Sequence, residues 1–370
     1  MIIKNAEVYG KDFVPCLTDI EIENGIIKSL DKTDAEGTDC SGCVVLPGFI
    51  DIHIHGCNMA DATDGNPDSA AKMSKWLATK GITSFCPTTM TLPVETLKKC
   101  FGYIADTMGS EEGAYIHGIN MEGPFIAPAK KGAQDAAHIL EPDADVFEQL
   151  NGICPIRLVD IAPEQKGADE FIGKVKNICT VSAAHTTADY EQGKRAISLG
   201  ITHATHLYNA MNGLTSREAG MVGAVLDSDS VTAELICDGI HICPATLRIT
   251  FRALGENRTV VISDAMMAAG LDEGEYTLGG QRVIKTDAAR LPDGTLAGSA
   301  TNLFEEFHNL LSFGIPVKQA IKSVTINPAK AIGADKITGS IEVGKNADLL
   351  ILSKDFKEIK AVFIKGKRVV

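Results

Sequence analysis

Residues 44–57 read Val-Val-Leu-Pro-Gly-Phe-Ile-Asp-Ile-His-Ile-His-Gly-Cys, an apolar run that ends in two histidines. Such a run is typical of a buried strand, and the period of two along a strand points His53 and His55 to the same side. Two converging imidazoles suit Zn, Fe or a similar divalent ion. The alternative is a pair of core histidines with separate hydrogen-bond partners, and this stretch alone leaves both interpretations open.

Downstream of these histidines, apolar segments alternate with patterns of helical period. One helix is predicted between Pro67 and Gly81, and a second between Pro93 and Gly109. Together with the strand that ends at His53, we predict strands near 82–88, 115–122, 156–163, 179–185, 201–206, 233–238 and 260–264. Eight such units predict an α/β fold, a (β/α)8 TIM-like barrel whose active site lies at the carboxyl ends of the strands. A doubly wound open sheet is the structural alternative.

Both ends of the chain carry short alternating segments typical of β structure. Asn24-Gly25 separates two of them and is a strong hairpin signal. The C-terminal segment is similar in character, and neither end has enough strands for a stable sheet of its own. We therefore expect residues 1–50 and 335–370 to form one small discontinuous β-sandwich domain, and residues 51–334 to form the catalytic barrel.

Composition narrows the class of protein. With 370 residues, 45% of them hydrophobic, the chain is long enough for a large domain and a smaller one. Its formal charge of −13 argues against nucleic acid or an anionic membrane as a partner, because both require a basic surface. The ten cysteines lack a disulfide framework and are expected to be reduced. No leader pattern and no run of about 18 apolar residues is found, so we expect a cytoplasmic protein.

The ends of the predicted strands carry ionisable side chains of the types that bind metals. In strand order these are His53 and His55, Glu122, His185, His206 and Asp264. They include four of the nine histidines of the chain. Strand ends meet around one axis in a barrel, so we expect these side chains to converge.

Each of these residues also has a structural interpretation. His185 alone is compatible with a hydrogen-bonded strand-end histidine, and Glu122 with a helix cap, although the Gly-Pro that follows favours a turn. His203 and His206 lie three apart on one predicted strand, so only one can face the site, and His206 at the strand end is preferred. Three further histidines are assigned to structure or to the surface: His117, His138 and His308.

The expected cluster has the composition of a hydrolytic metal site. A divalent ion held by Glu122, His185 and His206 would leave a position open to water, as catalytic sites do. Such an ion lowers the pKa of water to about 7 and polarises a carbonyl group. Asp264 is the candidate general acid/base, which takes the proton from the water and returns it to a leaving amine. The motifs of serine hydrolases, P-loops and dinucleotide-binding folds are not found.

These features resemble the metal-dependent amidohydrolase superfamily and, more narrowly, its N-acetylglucosamine-6-phosphate deacetylases. Residues 47–56 resemble the superfamily's first strand, and residues 339–348 resemble its return to the β domain. The motifs more specific to the deacetylases follow the order of that family over most of the chain: 121–125, 206–211, 216–218, 238–241 and 263–270.

The resemblance implies hydrolysis of the acetamide of N-acetyl-D-glucosamine 6-phosphate to D-glucosamine 6-phosphate and acetate. It implies the same metal ligands and the same acid/base as above. Members of the family differ in whether they keep the His-x-His and in whether they hold one metal or two. This chain keeps His53 and His55, so one or two divalent ions per subunit, the second bridged by Glu122, are both open.

The resemblance also assigns residues to substrate binding: His241, Asn209, Ala210, Arg217, Gln134 and Leu296. His241 would contact the acetyl carbonyl or the sugar, where it could stabilise an oxyanion. Arg217 would reach the phosphate from the neighbouring subunit of a homodimer, and a guanidinium fork suits that anion. Gln134 stands where some relatives have a histidine, and it can donate to a sugar hydroxyl but cannot act as an acid or base.

Other readings stay open at this point. Residues 265–300 form a long excursion after the eighth strand, which we expect to cover the pocket, a decorative hairpin being the alternative. Another amidohydrolase, acting on a different N-acyl amino sugar or a cyclic amide, is the second functional hypothesis, although many such two-metal enzymes use a lysine that residues 156–163 lack. A non-catalytic barrel would be expected to have lost a metal ligand or the base.

Overall fold

The computed structural model describes residues 1–370 and contains a parallel barrel and a second sheet built from both ends of the chain. The predicted fold class is therefore confirmed. The chain passes from the second sheet into the barrel at Gly48, where an added side chain would collide with Thr83. The division at residues 50/51 and 334/335 stays a prediction.

Eight parallel strands make the barrel. They span Phe49–Ile54, Ile82–Thr89, Tyr115–Ile116 with Ile119–Met121, Ile156–Ile161, Thr180–Ala183, His203–Ala204, Thr232–Ile236 and Thr259–Ile262. The first and eighth strands meet where the backbone N–H of Asp264 donates to the carbonyl of His53 at 2.9 Å. Just below, the Ser263 hydroxyl donates to the Asp51 carboxylate at 2.6 Å. The strand ends are thereby drawn around one axis.

Helices cover the outside of the barrel. They span Ser69–Thr79, Val94–Thr107, Ala144–Asn151, Ala168–Val175, Tyr190–Leu199, Gly220–Leu226, Pro244–Arg258, Leu303–Ser312, Val317–Ser323 and Ile326–Ala331, with single 3-10 turns at Pro128–Lys130 and Ala136–His138. The helices Ser69–Thr79 and Val94–Thr107 confirm the two helices predicted from the sequence. Met73 and Leu77, one helical turn apart, are fully buried, so the first helix packs an apolar face onto the barrel. None of the helices combines the length and apolar character needed to cross a lipid bilayer.

The second sheet joins the two ends of the chain. Its strands span Ile2–Tyr9, Pro15–Glu23, Ile26–Ser29, Thr38–Asp39, Cys43–Pro47, Leu349–Ser353, Ile359–Ile364 and Lys367–Arg368. The hairpin predicted at Asn24-Gly25 is confirmed, with positive φ angles of 51° and 82°. Val44 packs into the barrel core and Val45 into the core of the sheet, as alternation along a strand requires.

The excursion after the eighth strand folds into an antiparallel ribbon. Its strands are Gly274–Leu278, Gln281–Lys285 and Ala289–Arg290. A smaller two-stranded piece, Gly56–Cys57 with Ala60–Asp61, follows the first barrel strand. Both lie where the chain leaves the carboxyl ends of the barrel strands.

Candidate active site

A cavity of about 380 Å³ opens at the carboxyl ends of the barrel strands. Five of the side chains predicted from the strand ends line it: His55, Glu122, His185, His206 and Asp264. The sixth, His53, is fully buried beneath them. All six predicted strand-end residues are therefore brought together.

Three of these residues turn the backbone sharply at the end of their strands. His185, His206 and Asp264 have φ angles of 43°, 29° and 46°, in the left-handed region that non-glycine residues adopt at a cost of about 1–3 kcal/mol each. His206 lies beyond the strand His203–Ala204, so the prediction of one strand over 201–206 was wrong. The turn, and not the alternation of a strand, aims the His206 ring into the cavity.

Glu122 lies at the centre of the cluster. Its Oε1 is 2.9 Å from Nε2 of His185 and 2.9 Å from Nε2 of His206. Its Oε2 is 3.2 Å from Nε2 of His55. A single carboxylate is thus shared among histidines from three different strands.

A second group of donors adjoins the first. Oδ1 of Asp264 lies 3.2 Å from Nε2 of His55 and 3.6 Å from Nε2 of His53. Two sets of three side chains have donor atoms that all lie within 4.8 Å of one another: His53, His55 and Asp264, and His53, Glu122 and His206. The geometry offers two adjacent cation positions.

The outward nitrogens of two histidines are held by backbone carbonyls. Nδ1 of His55 is 3.2 Å from the carbonyl of Thr88, and Nδ1 of His185 is 2.6 Å from that of Lys130. A carbonyl only accepts, so each Nδ1 carries the proton and donates it. The unprotonated form of each ring then presents the lone pair of Nε2 to the cluster, which is the arrangement of metal-binding histidines.

Charge balance within the cluster also fits a cation. Burial alone would raise the pKa of Glu122, but hydrogen bonds from His185 and His206 lower it well below its usual value. Burial disfavours a charge on His55, yet Asp264 and Glu122 raise its pKa to about 10. The two carboxylates are thus stabilised by positive charge, which protons on the histidines or a metal ion can supply.

Unsatisfied atoms test whether a metal fits. Nε2 of His53 and Oδ1 of Asp264 are buried and have no hydrogen-bond partner. Buried polar atoms without partners are costly, and these two face one another across the cluster. Imidazole nitrogens and carboxylate oxygens form the donor set of Zn, Fe and similar ions. The residues fit a divalent metal.

Glu234 is a site residue that sequence reasoning missed. It lies in the seventh barrel strand, is fully buried, and its carboxylate is 2.9 Å from Nδ1 of His53 and 3.2 Å from Nε2 of His203. His203 does not line the cavity. The available signal was the single acidic residue in the apolar segment 232–236, because a carboxylate buried in a strand needs partners.

His241 lies on the wall of the cavity and is held by Asp238. Nδ1 of the ring is 2.7 Å from Oδ2 of Asp238, and the backbone N–H of His241 donates to Oδ1 at 2.8 Å. Burial raises the pKa of Asp238, but the bonds to His241 outweigh it and hold that pKa below the usual value. Nε2 of His241 is left to face the cavity, where it donates when both ring nitrogens carry protons.

The segment after His206 offers a backbone donor to the cavity. Asn209 and Ala210 both line it, and Ala210 has a positive φ of 52°. The carbonyl of Ala210 accepts from Thr186, whereas its N–H has no acceptor within the chain. An unpaired amide beside an asparagine side chain suits an anionic or strongly accepting group.

Gln134 is engaged with the cluster. Its Nε2 donates to Oε2 of Glu122 at 2.6 Å, and its Oε1 accepts from the backbone N–H of Thr91 at 2.6 Å. The side chain is 2% exposed, although it lines the cavity. Its amide therefore orients Glu122.

The cavity contains two cations that were not predicted, whereas the predicted cation, Arg217, is expected to act on the neighbouring subunit. Lys130 and Arg290 line the cavity, and neither was predicted. Arg217 does not line it and lies in an exposed groove with residues such as Tyr190 and Glu218. Of the ribbon and its following loop, Leu278, Arg290 and Leu296 reach the cavity.

Comparisons with known proteins agree with this picture. Residues 44–369 match the amidohydrolase family. The chain is 37% identical to the N-acetylglucosamine-6-phosphate deacetylase of Bacillus subtilis, over 86% of this chain and 83% of that protein. It is 32% identical to the N-acetylgalactosamine-6-phosphate deacetylase of Escherichia coli O157:H7, over 94% of this chain and 93% of that protein.

Solved structures show the same architecture. The crystal structure of N-acetylglucosamine-6-phosphate deacetylase from Thermotoga maritima superimposes with a TM-score of 0.92 at 30% sequence identity. The superposition covers 100% of this chain and 99% of that one. The barrel and the sheet built from both termini are therefore common to the two proteins.

Proposed function

Since the chain belongs to the amidohydrolase family and is a hydrolase of the N-acetylglucosamine-6-phosphate deacetylase type, we propose that it hydrolyses the acetamide of N-acetyl-D-glucosamine 6-phosphate to D-glucosamine 6-phosphate and acetate. One observation carries the proposal. The cavity joins a cluster of carboxylates and imidazoles at its floor to an unpaired backbone amide and a lysine on its wall. A reacting amide and a phosphate on one small sugar need these two environments a few ångströms apart.

Glu122, His185 and His206 would hold the first divalent cation, and His53, His55 and Asp264 would hold a second. When bound, such a cation lowers the pKa of water and polarises a carbonyl group. The native metal stays open among Zn, Fe and similar ions, because the donor set suits all of them.

Asp264 is the proposed general acid/base. Its Oδ1 faces the cluster and has no hydrogen-bond donor from the protein. The carboxylate takes the proton of the attacking water and returns it to the nitrogen of the leaving amine. His55 and His53, whose Nε2 atoms lie 3.2 and 3.6 Å from the same Oδ1, lower the pKa of Asp264 against the effect of burial, so the carboxylate is ionised and can accept that proton at neutral pH.

The walls of the cavity bind and orient the sugar. His241 contacts the acetyl carbonyl from Nε2 and stabilises the negative charge that develops there. Asn209 and the N–H of Ala210 hold the phosphate. Lys130 adds a positive charge from the same subunit, because its Nζ donates to the carbonyl of Met211, next to Ala210, at 3.1 Å.

Arg217 is proposed to complete the phosphate site of a neighbouring subunit. Its exposed position outside its own cavity supports an action in trans and hence a homodimer. All ten cysteines are free, which supports a reducing, cytoplasmic setting. Gln134 is proposed to orient Glu122, and it would reach the sugar only by giving up the weak bond of its second amide hydrogen to Sδ of Met90 at 3.6 Å.

The test is release of free amine and acetate by protein stripped of metal and resupplied with Zn, Fe(II), Mn or Co. We expect metal-dependent turnover of N-acetylglucosamine 6-phosphate and little turnover of the unphosphorylated sugar. The galactosamine epimer serves as the second substrate, since a relative of this chain carries that name. Faster turnover of the galactosamine epimer would change the substrate assigned to this protein. No turnover of either phosphorylated sugar with any of the metals would refute the proposal.

A further inference from the structure

Glu234 is a fully buried carboxylate that lies behind the cluster and does not line the cavity. It comes from the middle of the seventh barrel strand, Thr232–Ile236. Burying a carboxylate is costly unless it is paired and hydrogen-bonded. Its contacts should therefore account for its presence.

Those contacts converge on the first barrel strand. One oxygen, Oε2, lies 2.9 Å from Nδ1 of His53 and accepts from the backbone N–H of His206 at 3.2 Å. The other, Oε1, lies 3.2 Å from Nε2 of His203, whose Nδ1 is 2.5 Å from the hydroxyl of Thr232. Both oxygens of Glu234 are occupied, and His203 keeps the carboxylate facing His53.

The contact sets the orientation of His53. A carboxylate accepts the Nδ1 proton, which leaves the lone pair of Nε2 free to face the cluster. That Nε2 has no hydrogen-bond partner and lies 3.6 Å from Asp264 and 3.8 Å from Glu122. His53 is thus aimed at the second cation position.

His53 differs in this respect from the other histidines of the cluster. Carbonyl oxygens accept from Nδ1 of His55 and His185, whereas a charged carboxylate accepts from His53. A carboxylate behind a ligating imidazole makes the ring a stronger ligand, and losing it typically costs about 10–100-fold in metal affinity. Among these three histidines, His53 therefore has the strongest support, and in the proposed division of ligands it serves the second ion.

We propose that Glu234, held by His203, is the positioning residue that makes His53 a metal ligand and so decides whether the second cation position fills. The inference rests on the proposed metal site of the deacetylase. It concerns the number and affinity of bound ions, which can be measured without any substrate. The role of Glu234 can therefore be tested even if the proposed reaction is not observed. The proposed reaction can likewise be tested even if Glu234 has no effect on metal binding.

The experiment titrates metal-free protein with zinc against a competing chelator, and counts bound ions by elemental analysis. Wild-type protein should bind two ions per chain. Glu234→Gln should lower the affinity for the second ion by about 10–100-fold, because the amide keeps the size of the side chain but loses its charge. The affinity for the first ion should change by less than threefold. Glu306→Gln is the matched control, since Glu306 is equally buried but accepts from the backbone of Cys237 and touches no histidine.

Two further variants keep the result decisive. If Glu234→Gln does not fold, His203→Gln takes its place and should also lower the affinity for the second ion, by less than tenfold. In a His53→Asn background, which already lacks the second ion, adding Glu234→Gln should leave the affinity of the first ion unchanged. A tenfold loss there would mean that Glu234 acts through His206, and would overturn the proposal. Two ions of wild-type affinity in Glu234→Gln, or a single ion in the wild type at every zinc concentration, would overturn it as well.

Discussion

Replacing Asp264 by Asn should separate the proton-transfer role from the structural one. Asp264 is held by its backbone, since its N–H donates to His53 at 2.9 Å and its carbonyl accepts from Ser299 at 2.6 Å. Asn has the same shape, so the side chain should keep its place at the cluster. It cannot accept a proton from water at neutral pH, and loss of a general acid/base costs about 10²–10⁴-fold in rate. That is about 2.7–5.5 kcal/mol of transition-state stabilisation.

The assay is steady-state release of acetate from N-acetylglucosamine 6-phosphate, with the metal content of the same samples measured in parallel. We expect kcat to fall by that factor while KM and the tightly bound first ion change little. Asp61→Asn is the matched control, because Asp61 is also buried but bonds to Thr63 through an oxygen that the amide keeps. A decrease of less than tenfold in kcat would refute the role of Asp264 as acid/base. Loss of the first ion along with activity would show that Asp264 is needed to bind that ion, which would contradict the proposed division of roles.

Four further outcomes are expected. Lys130→Met and Arg217→Ala should each raise KM for the phosphorylated sugar about tenfold or more, the value of one charge-assisted hydrogen bond, without a similar effect on the unphosphorylated sugar; equal effects on both sugars would remove the residue from the phosphate site. Shortening the ribbon 274–290 to a tight turn should strongly lower kcat/KM and change Tm little. A fully active truncated protein would reject the role of the ribbon as a cover of the pocket. Phe307→Ala should lower the free energy of unfolding by about 3–5 kcal/mol, because the ring is fully buried, and chemical denaturation would show it. His117 is buried and its pKa is lowered to about 3 by burial and by neighbouring cations, so between pH 6.5 and 3 the unfolded chain binds a proton that the folded chain does not. His117 should therefore contribute a decrease in the free energy of unfolding of up to about 1.4 kcal/mol per pH unit as the pH falls through that range, and this contribution should be absent from His117→Gln; identical slopes in the two proteins would contradict it.

The proposed division of labour has a physical consequence for metal loading. The first ion position draws on Glu122, with ligands from three strands, and its support comes from the backbone carbonyl of Lys130 behind His185 and from the amide of Gln134 beside Glu122. The second depends on His53, whose orientation is set by a side chain, Glu234. A backbone carbonyl persists through mutation, whereas a carboxylate can be exchanged in one step. The number of ions is therefore open to change by substitution at a residue that never meets the substrate.

The sequence by itself determined the barrel, the hairpin at Asn24-Gly25 and the six strand-end candidates, five of them as metal ligands and Asp264 as the acid/base. Period-two alternation, helix start signals and turn residues are local, so they can be read along the chain. The fact that Glu122, His185 and His206 lie at strand ends was enough to predict that they meet, because closure of a barrel brings all strand ends together.

Only the tertiary structure decided which side chains face one another. Glu234 and its contact with His203 were overlooked because alternation gives the side of a strand and not the partner across the barrel, which depends on strand register. The left-handed backbone at His206 shortened its strand and aimed its ring by a turn that no local pattern predicts. The position of Lys130 in the cavity was likewise not predictable from local patterns, since its loop is placed by contacts with distant segments.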